Sequence, residues 1–165
     1  MQIGTVKIES KLALAPMAGV TDAAFRQICS EKGAGYTVTE LVSAKALCYH
    51  DTKTAQLLRP FPGEKPFAAQ IFGSDVNCMA EAAQMAIEIS GADILDINMG
   101  CPVPKVVNNG EGSALMKDPK LVEQILTALV KAIDKSVTVK IRKGFDDDHV
   151  NAVEIAKIAE ACGVA

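Results

Sequence analysis

A cysteine placed between a glycine and a proline is the residue best suited to chemistry in this sequence. Gly100 and Pro102 flank Cys101 and disfavour a regular helix or strand at the thiol. A thiol with an ordinary pKa of about 8.5 stays protonated at neutral pH and can act as a general acid. An adjacent cation that lowered this pKa would make the sulfur a nucleophile instead. A small buried apolar side chain is the third interpretation, and the residue types alone leave all three open.

Two further polar residues lie in apolar runs. Lys140 occurs in Val137–Ile141, where it could neutralise an anion or extend its ammonium group to water at a strand end. Gln70 both donates and accepts hydrogen bonds, which suits the polar edge of a planar ligand as well as a role within the fold.

The sequence predicts no metal site. Neither His50 nor His149 has a partner at metal-ligand spacing, and no two of the cysteines form a C-x-x-C pair. The acidic run Asp146–Asp148 is interpreted as a helix start, with Asp147 or Asp148 capping a last helix that ends near Cys162.

Short apolar runs alternate with longer amphipathic segments along the whole chain. A small hairpin at 3–8 precedes five β–α units, whose predicted strands are 12–15, 36–39, 67–71, 93–97 and 137–141. The helices between them are predicted to start at Thr21 or Asp22, at Asp75 and at Asp118. A polar helical stretch is also predicted directly after the second strand, with a break at 60–63. An irregular loop is predicted over 98–112, followed by a short helix at 113–116.

This alternation predicts an α/β fold with a parallel sheet, either an open doubly wound sheet or a (β/α)8 TIM barrel. Five units in 165 residues give the number of residues per unit expected for an eight-unit barrel of about 250 residues. We therefore expect 1–165 to be the N-terminal part of a barrel domain, ending before strand six. The residues at the carboxyl ends of the strands should meet at one mouth: Pro16, Met17, Ala18, Glu40, Gln70, Asn98, Cys101, Lys140 and Arg142.

Composition narrows the class of protein. The chain is 49% hydrophobic, which is enough for one core, and no apolar run approaches the roughly 20 residues of a membrane helix. With no signal-peptide pattern at the N-terminus, we expect a cytoplasmic protein. The net charge of −3 lacks the basic footprint of a nucleic-acid-binding domain, which argues against RNA binding by this chain alone.

Five stretches together resemble the tRNA-dihydrouridine synthase family, most closely its bacterial B-type branch. They occur in family order across essentially the whole chain: Ala15–Asp22, Gln70–Ser74, Asp96–Pro102, Gly112–Met116 and Val139–Gly144.

The resemblance implies an FMN-dependent enzyme that uses NADPH to reduce the C5=C6 bond of specific uridines in tRNA. Hydride would pass from the flavin to C6, and Cys101 would protonate C5. Asn98 and Arg142 match positions near the flavin and the substrate uridine. The family's C-terminal helical domain, which binds tRNA, would lie outside this chain, so we expect 1–165 alone to bind FMN weakly or not at all. The flavin contacts implied are those of Pro16, Met17, Ala18, Gln70 and Lys140.

Two other functions compete with this one. Another FMN-linked TIM-barrel oxidoreductase, acting on a small substrate, would share the barrel and the flavin. A catalytically inactive barrel fragment that serves as an interaction module would need neither.

Overall fold

A five-stranded parallel sheet organises the computed structural model, which describes residues 1–165. The strands lie in the order β3-β4-β5-β6-β7, so each strand pairs with the one before it in the chain. A doubly wound sheet would reverse its order at a switch point, whereas this sheet runs in one direction and curls into half of a barrel. The strands are β3 (Ala13–Leu14), β4 (Tyr36–Ser43), β5 (Phe67–Phe72), β6 (Ile94–Asn98) and β7 (Ser136–Lys140).

An antiparallel hairpin precedes the sheet, as the sequence predicted. Its strands are β1 (Gln2–Ile3) and β2 (Val6–Lys7). Ile8, immediately after the hairpin, is buried in a small apolar cluster with Tyr36, Val38, Ala68 and Ile94. The hairpin thus covers one end of the curved sheet, at the amino ends of the strands.

The helices pack on the outer face of the sheet. Asp22, Asp75 and Asp118 each cap a helix by accepting the backbone N–H three residues later, as expected for N-cap carboxylates. The helices are α1 (Ala23–Glu31), α2 (Ala44–Cys48), α3 (Thr52–Gln56), α4 (Val76–Ser90), α5 (Pro104–Val107), α6 (Pro119–Ala132) and α7 (Ala152–Ala161).

The two faces of the sheet differ in chemistry because strand side chains alternate. Ala69, Ile71, Leu95, Ile97 and Val137 point outward into a core of 24 buried residues that they share with the helices. The residues between them face the inside of the half-barrel. The helices therefore fix the strands from outside and leave the inner face free to carry a site.

The last helix begins later than the sequence predicted. α7 starts at Ala152 after Asn151, and neither Asp147 nor Asp148 caps it. Instead, the Asp146 carboxylate accepts the backbone N–H groups of Asp148 and His149 and closes a turn. A carboxylate can satisfy a turn as readily as a helix start, so the acidic run alone did not distinguish the two.

Three smaller differences bear on the site. β4 continues to Ser43, so Glu40 lies within this strand and does not follow it, and Gln70 lies two residues before the end of β5. The expected loop at 98–112 contains the helical turn α5, which Pro104 starts with a φ suited to the first helical position. A 3₁₀ helix covers Gly112–Lys117, close to the short helix predicted there.

No helix of the chain is both long enough and apolar enough to cross a membrane.

Candidate active site

The inner face of the sheet changes from apolar to polar along the strands. Near the amino ends, Val38, Ala68 and Ile94 sit side by side in register. One step further toward the carboxyl ends, Gln70 pairs with Asp96, and Asp96 pairs with Thr138. The inside of the half-barrel thus has an apolar base and a polar mouth, which is where catalytic residues of β/α barrels lie.

A chain of buried hydrogen bonds connects the polar side chains. The Asp96 carboxylate accepts from Gln70 Nε2 through one oxygen and from Thr138 Oγ1, at 2.6 Å, through the other. Asn98 Nδ2 donates to Gln70 Oε1 at 2.9 Å. Because each member is bonded to the next, the Gln70 amide has one fixed orientation.

The protonation of this network depends on its burial. Burial raises the pKa of Asp96, against the opposing effects of the Thr138 and Gln70 hydrogen bonds and the charge of Lys140. Burial, together with the charge of Asp96, raises the pKa of Tyr36 well above its ordinary value. Tyr36 therefore stays a neutral phenol at neutral pH.

The turn that carries Cys101 is fixed from both sides. Asn98 Oδ1 accepts the backbone N–H groups of Gly100, at 3.2 Å, and of Cys101, at 2.9 Å. On the other side, the Cys101 carbonyl accepts the Ser113 N–H at 3.0 Å. Gly112 has a φ of +60°, and a Cβ there would lie 2.7 Å from the Cys101 carbonyl oxygen. The loop can pack this closely behind the half-buried thiol only because Gly112 has no side chain.

A second tight turn follows β3. Thr21 is buried, and its hydroxyl accepts the Met17 N–H at 3.0 Å and donates to the Met17 carbonyl at 3.2 Å. The Gly19 N–H donates to the carboxylate of Glu40 on β4. Met17 and Ala18 are exposed between these two anchors, so a fixed backbone is presented to solvent at the strand ends.

Two cations stand at the end of β7 and make no ion pair. Lys140 is the last residue of β7 and Arg142 follows two residues later; both are exposed, and neither is in any of the chain's ion pairs. The Lys140 carbonyl accepts the Met99 N–H at 2.9 Å, which ties the end of β7 to the cysteine turn. Both cations are therefore available to an anion beside Cys101.

The sequence-predicted residues fall into two groups in the structure. Gln70, Asn98, Cys101 and Lys140 come together on β5, β6 and β7 and the turn between them. The Pro16–Ala18 segment lies at the end of β3, on the opposite edge of the sheet from β7. The structure contains no cluster of three or more His, Cys, Asp or Glu side chains suited to a metal ion.

Sequence reasoning missed the residues beneath the site. Asp96 and Thr138 each lie two positions before a predicted site residue, Asn98 and Lys140, so the period-two rule for strands could have found them. The buried pair of Arg26 and Glu64 carried no such signal.

The Arg26–Glu64 pair supports the segment that holds Met17. Arg26 Nε donates to Glu64 at 2.7 Å, with both side chains 1% exposed. The same guanidinium donates to the carbonyl of Thr21, whose hydroxyl holds the Met17 backbone. Glu64 also accepts from Thr37 at 2.7 Å, which ties this support to β4.

Comparisons with known proteins agree on one family. Residues 13–165 match the model of the family described as dihydrouridine synthase. The chain is similar to tRNA-dihydrouridine synthase B of Shewanella oneidensis, with 47% identity over 165 residues, which is 100% of this chain and 51% of the relative. It is also similar to the protein of that name from Pseudomonas aeruginosa, with 46% identity over 99% of this chain and 49% of the relative.

The chain spans about half the length of these curated relatives. The family match nevertheless covers the whole five-stranded sheet, the cysteine turn and the end of β7. This chain belongs to the dihydrouridine synthase family.

Proposed function

We propose that this chain provides the proton donor and part of the flavin site of an enzyme that reduces specific uridines in tRNA to dihydrouridine. The observation that carries the proposal is the position of Cys101. Its turn is held by Asn98 and Ser113 at the polar mouth of the half-barrel, next to Gln70 and to the unpaired Lys140. Membership of the dihydrouridine synthase family and the names of its relatives support the reaction.

The residues at the mouth fit FMN. Gln70 is buried beneath the mouth, and one hydrogen of its amide is used by Asp96. The second makes no hydrogen bond within the chain, and we propose that it donates to the polar edge of the flavin. Lys140 and Arg142 supply positive charge for an anionic ring or phosphate. We propose that the Pro16–Ala18 backbone approaches the flavin as well, since its two anchors keep it rigid. When bound and reduced by NADPH, FMN supplies a hydride for C6 of the uracil.

Cys101 supplies the proton. The thiol is half-buried, and it lies on a backbone that cannot shift without breaking the Asn98 and Ser113 hydrogen bonds. A neutral thiol held in one place can donate its proton to C5 as negative charge develops there. Arg142, whose side chain lies against Gly100, is placed to contact the uridine or its phosphate.

We propose that the substrate uridine leaves its base stack to reach the mouth, at a cost of a few kcal/mol. The net charge of −3 means that this chain lacks the overall basic character that usually attracts a protein to RNA. We therefore assign most of the tRNA contact to a C-terminal helical domain outside these 165 residues. Closure of the barrel by further strands is part of the same proposal, because a TIM barrel has eight.

The test is the formation of dihydrouridine by the full-length gene product. The protein is incubated with FMN, NADPH and tRNA that lacks the modification, and dihydrouridine is quantified by mass spectrometry. We expect Cys101→Ala to lower the rate by about 10² to 10⁴, the usual contribution of a positioned acid. Cys29→Ala removes another half-buried thiol, on α1, and should leave the rate unchanged.

Two results would count against the proposal in different ways. Full activity of Cys101→Ala would remove the cysteine from the mechanism and leave the reaction in place. A folded, FMN-loaded wild type that modifies no tRNA would contradict the reaction itself and favour a flavoenzyme of a small substrate.

A further inference from the structure

A pair of cysteines lies beside the mouth, and the proposed reaction does not use it. Cys48 is the last residue of α2, and Cys78 lies in the first turn of α4. Their Sγ atoms are 3.0 Å apart, and the Cys48 thiol also contacts the Cys78 carbonyl at 3.4 Å. Thirty residues separate the two in sequence, so only the fold brings them together.

Packing holds the two helices in this arrangement. α2 follows directly from the end of β4, and α4 starts four residues after the end of β5. Gly73 lies between them: a Cβ there would be 2.8 Å from Met79 Sδ on α4 and 3.2 Å from Ala44 Cβ on α2. The helices can approach this closely only over a glycine, and their approach sets the distance between the two sulfurs.

Both thiols are accessible from solvent. Each is half-buried and lines an open cavity of about 590 Å³. This volume is within the range of sites that hold small molecules, roughly 300–1,000 Å³. The polar lining includes Lys45, Asn109 and Glu111. Burial raises the pKa of Glu111, against the opposing charge of Lys45. A small, partly charged molecule can therefore reach the sulfurs.

We propose that Cys48 and Cys78 form a thiol–disulfide exchange site that reacts with low-molecular-weight disulfides. The Cys48 thiolate attacks one sulfur of the small disulfide, which breaks its S–S bond and releases one small thiol. Cys78 then attacks the Cys48 sulfur, forms the Cys48–Cys78 bond and releases the second small thiol. Two protein thiols are oxidised, and one small disulfide is reduced to two thiols. The bonded distance of about 2.05 Å requires the sulfurs to approach by only about 1 Å.

The electrostatics of the pair favour this order of attack. Burial, the hydrogen bond and charge of the neighbouring Cys48, and the charges of Asp75 and Glu81 together raise the pKa of Cys78 to about 12. Cys78 therefore stays a thiol at neutral pH, which leaves Cys48 to react first. Once Cys48 is bonded to the small thiol, its hydrogen bond and charge no longer act on Cys78. Burial still acts on Cys78, but the short distance between the two sulfurs places Cys78 beside the sulfur that it attacks in the second step.

The product is a disulfide bond beside the mouth of the half-barrel. The bond would join α2 to α4, and so the end of β4 to the end of β5. Asn109 and Glu111 line the same cavity as the two cysteines, and they belong to the loop that packs behind Cys101. This inference needs neither FMN nor tRNA and is independent of the proposed function.

The experiment uses the purified chain, reduced and then exposed to oxidised glutathione. The sample is quenched in acid, alkylated with iodoacetamide and digested with trypsin and a glutamate-specific protease. In the sequence, this digest separates Cys48, in peptide 46–53, from Cys78, in peptide 65–81, and from Cys101, in peptide 89–105. We expect peptides 46–53 and 65–81 to be linked, with a loss of two hydrogens that dithiothreitol reverses. Cys29→Ser should form the same link, and Cys48→Ser should leave peptide 65–81 alkylated.

Three outcomes would overturn the proposal. One is full alkylation of both peptides in folded wild type. Another is a stable glutathione adduct on Cys48 that never closes to the Cys48–Cys78 bond. The third is a link that forms equally fast in the chain unfolded by urea, which would show that the folded arrangement of α2 and α4 contributes nothing.

Discussion

Asp96 is the residue on which the order of the site depends. Its two oxygens hold Gln70 and Thr138, and Gln70 in turn holds Asn98. Asn98 fixes the backbone of Cys101. A buried carboxylate thus sets the orientation of a turn that it does not touch, which is how supporting groups keep catalytic side chains in place.

The charge of Asp96 should make the stability of the chain depend on pH. Burial raises the pKa of Asp96 in the folded state above the value of about 3.9 that it has when unfolded. Between these two values the folded chain binds more protons, so the free energy of unfolding falls as pH rises, by at most about 1.4 kcal/mol per pH unit. Above the folded-state pKa the loss is complete and constant.

The measurement is urea unfolding of wild type and Asp96→Asn as a function of pH. We expect the free energy of unfolding of Asp96→Asn, relative to wild type, to rise with pH from about 4 upward and then to level off. Other acidic groups titrate in both proteins and cancel in the difference. A difference that is independent of pH would mean that Asp96 has the same pKa in both states.

At the scale of elements, the loop behind Cys101 depends on Gly112, because the structure has no space for a side chain at this position. Gly112→Ala would put a methyl group 2.7 Å from the Cys101 carbonyl oxygen and 2.8 Å from Val106 Cγ1, at a φ of +60°. The left-handed backbone alone costs an alanine about 1–2 kcal/mol. We expect Gly112→Ala to lower the free energy of unfolding by more than this and to change the rate at which iodoacetamide alkylates Cys101.

Gly110→Ala is the matched control. Gly110 also has a positive φ, of +74°, but a Cβ there meets nothing within 4 Å. This variant should show only the backbone cost of about 1–2 kcal/mol, with the alkylation rate of Cys101 unchanged. Equal effects of the two variants would show that the contact with Cys101 does not matter.

The buried pair of Arg26 and Glu64 ties α1 to β4 and to the loop between α3 and β5. Glu64 accepts Arg26, Thr37 and the Phe61 N–H, so Glu64→Ala leaves a buried guanidinium without its counter-charge. We expect a loss of about 3–5 kcal/mol in the free energy of unfolding, measured by urea denaturation.

Asp147→Ala provides the comparison for the buried pair. It breaks the ion pair between Asp147, which is 95% exposed, and Lys143, which is 69% exposed. Exposed ion pairs contribute little to the free energy of unfolding. A small effect of Glu64→Ala, similar to that of Asp147→Ala, would show that water replaces the carboxylate and that the pair does not support α1.

At the scale of the whole molecule, five strands form an open half-barrel. β3 and β7 are the free edges of the sheet, and the proposed flavin residues lie at both of them. A ligand bound there stays open to water on one side, and small-molecule sites usually bury 70–90% of their ligand. We therefore expect residues 1–165 alone to bind FMN weakly or not at all.

Fluorescence titration of FMN with the 165-residue chain measures this binding. The full-length gene product, titrated in parallel, is the positive control and should bind FMN tightly. Tight stoichiometric binding by residues 1–165 would contradict the prediction and would place all the necessary contacts within the half-barrel.

The sequence by itself determined the local features. Alternating apolar runs predicted the five strands to within four residues at their ends, and the starts of β4 and β5 without error. The capping carboxylates Asp22, Asp75 and Asp118 predicted the starts of three helices. Gly100 and Pro102 predicted that Cys101 lies on a turn, where the structure places its half-buried thiol. These features depend on near neighbours in the chain, so periodicity and capping rules are enough to find them.

Only the tertiary structure decided which distant residues meet. The order of the strands confirmed the half-barrel, which the length of the five units favoured but β–α alternation alone left open beside the doubly wound sheet. The partners of Asp96, Arg26 and Cys48 are Thr138, Glu64 and Cys78, each between 30 and 42 residues away. No local pattern encodes such pairs, because the register of the sheet and the packing of the helices bring them together.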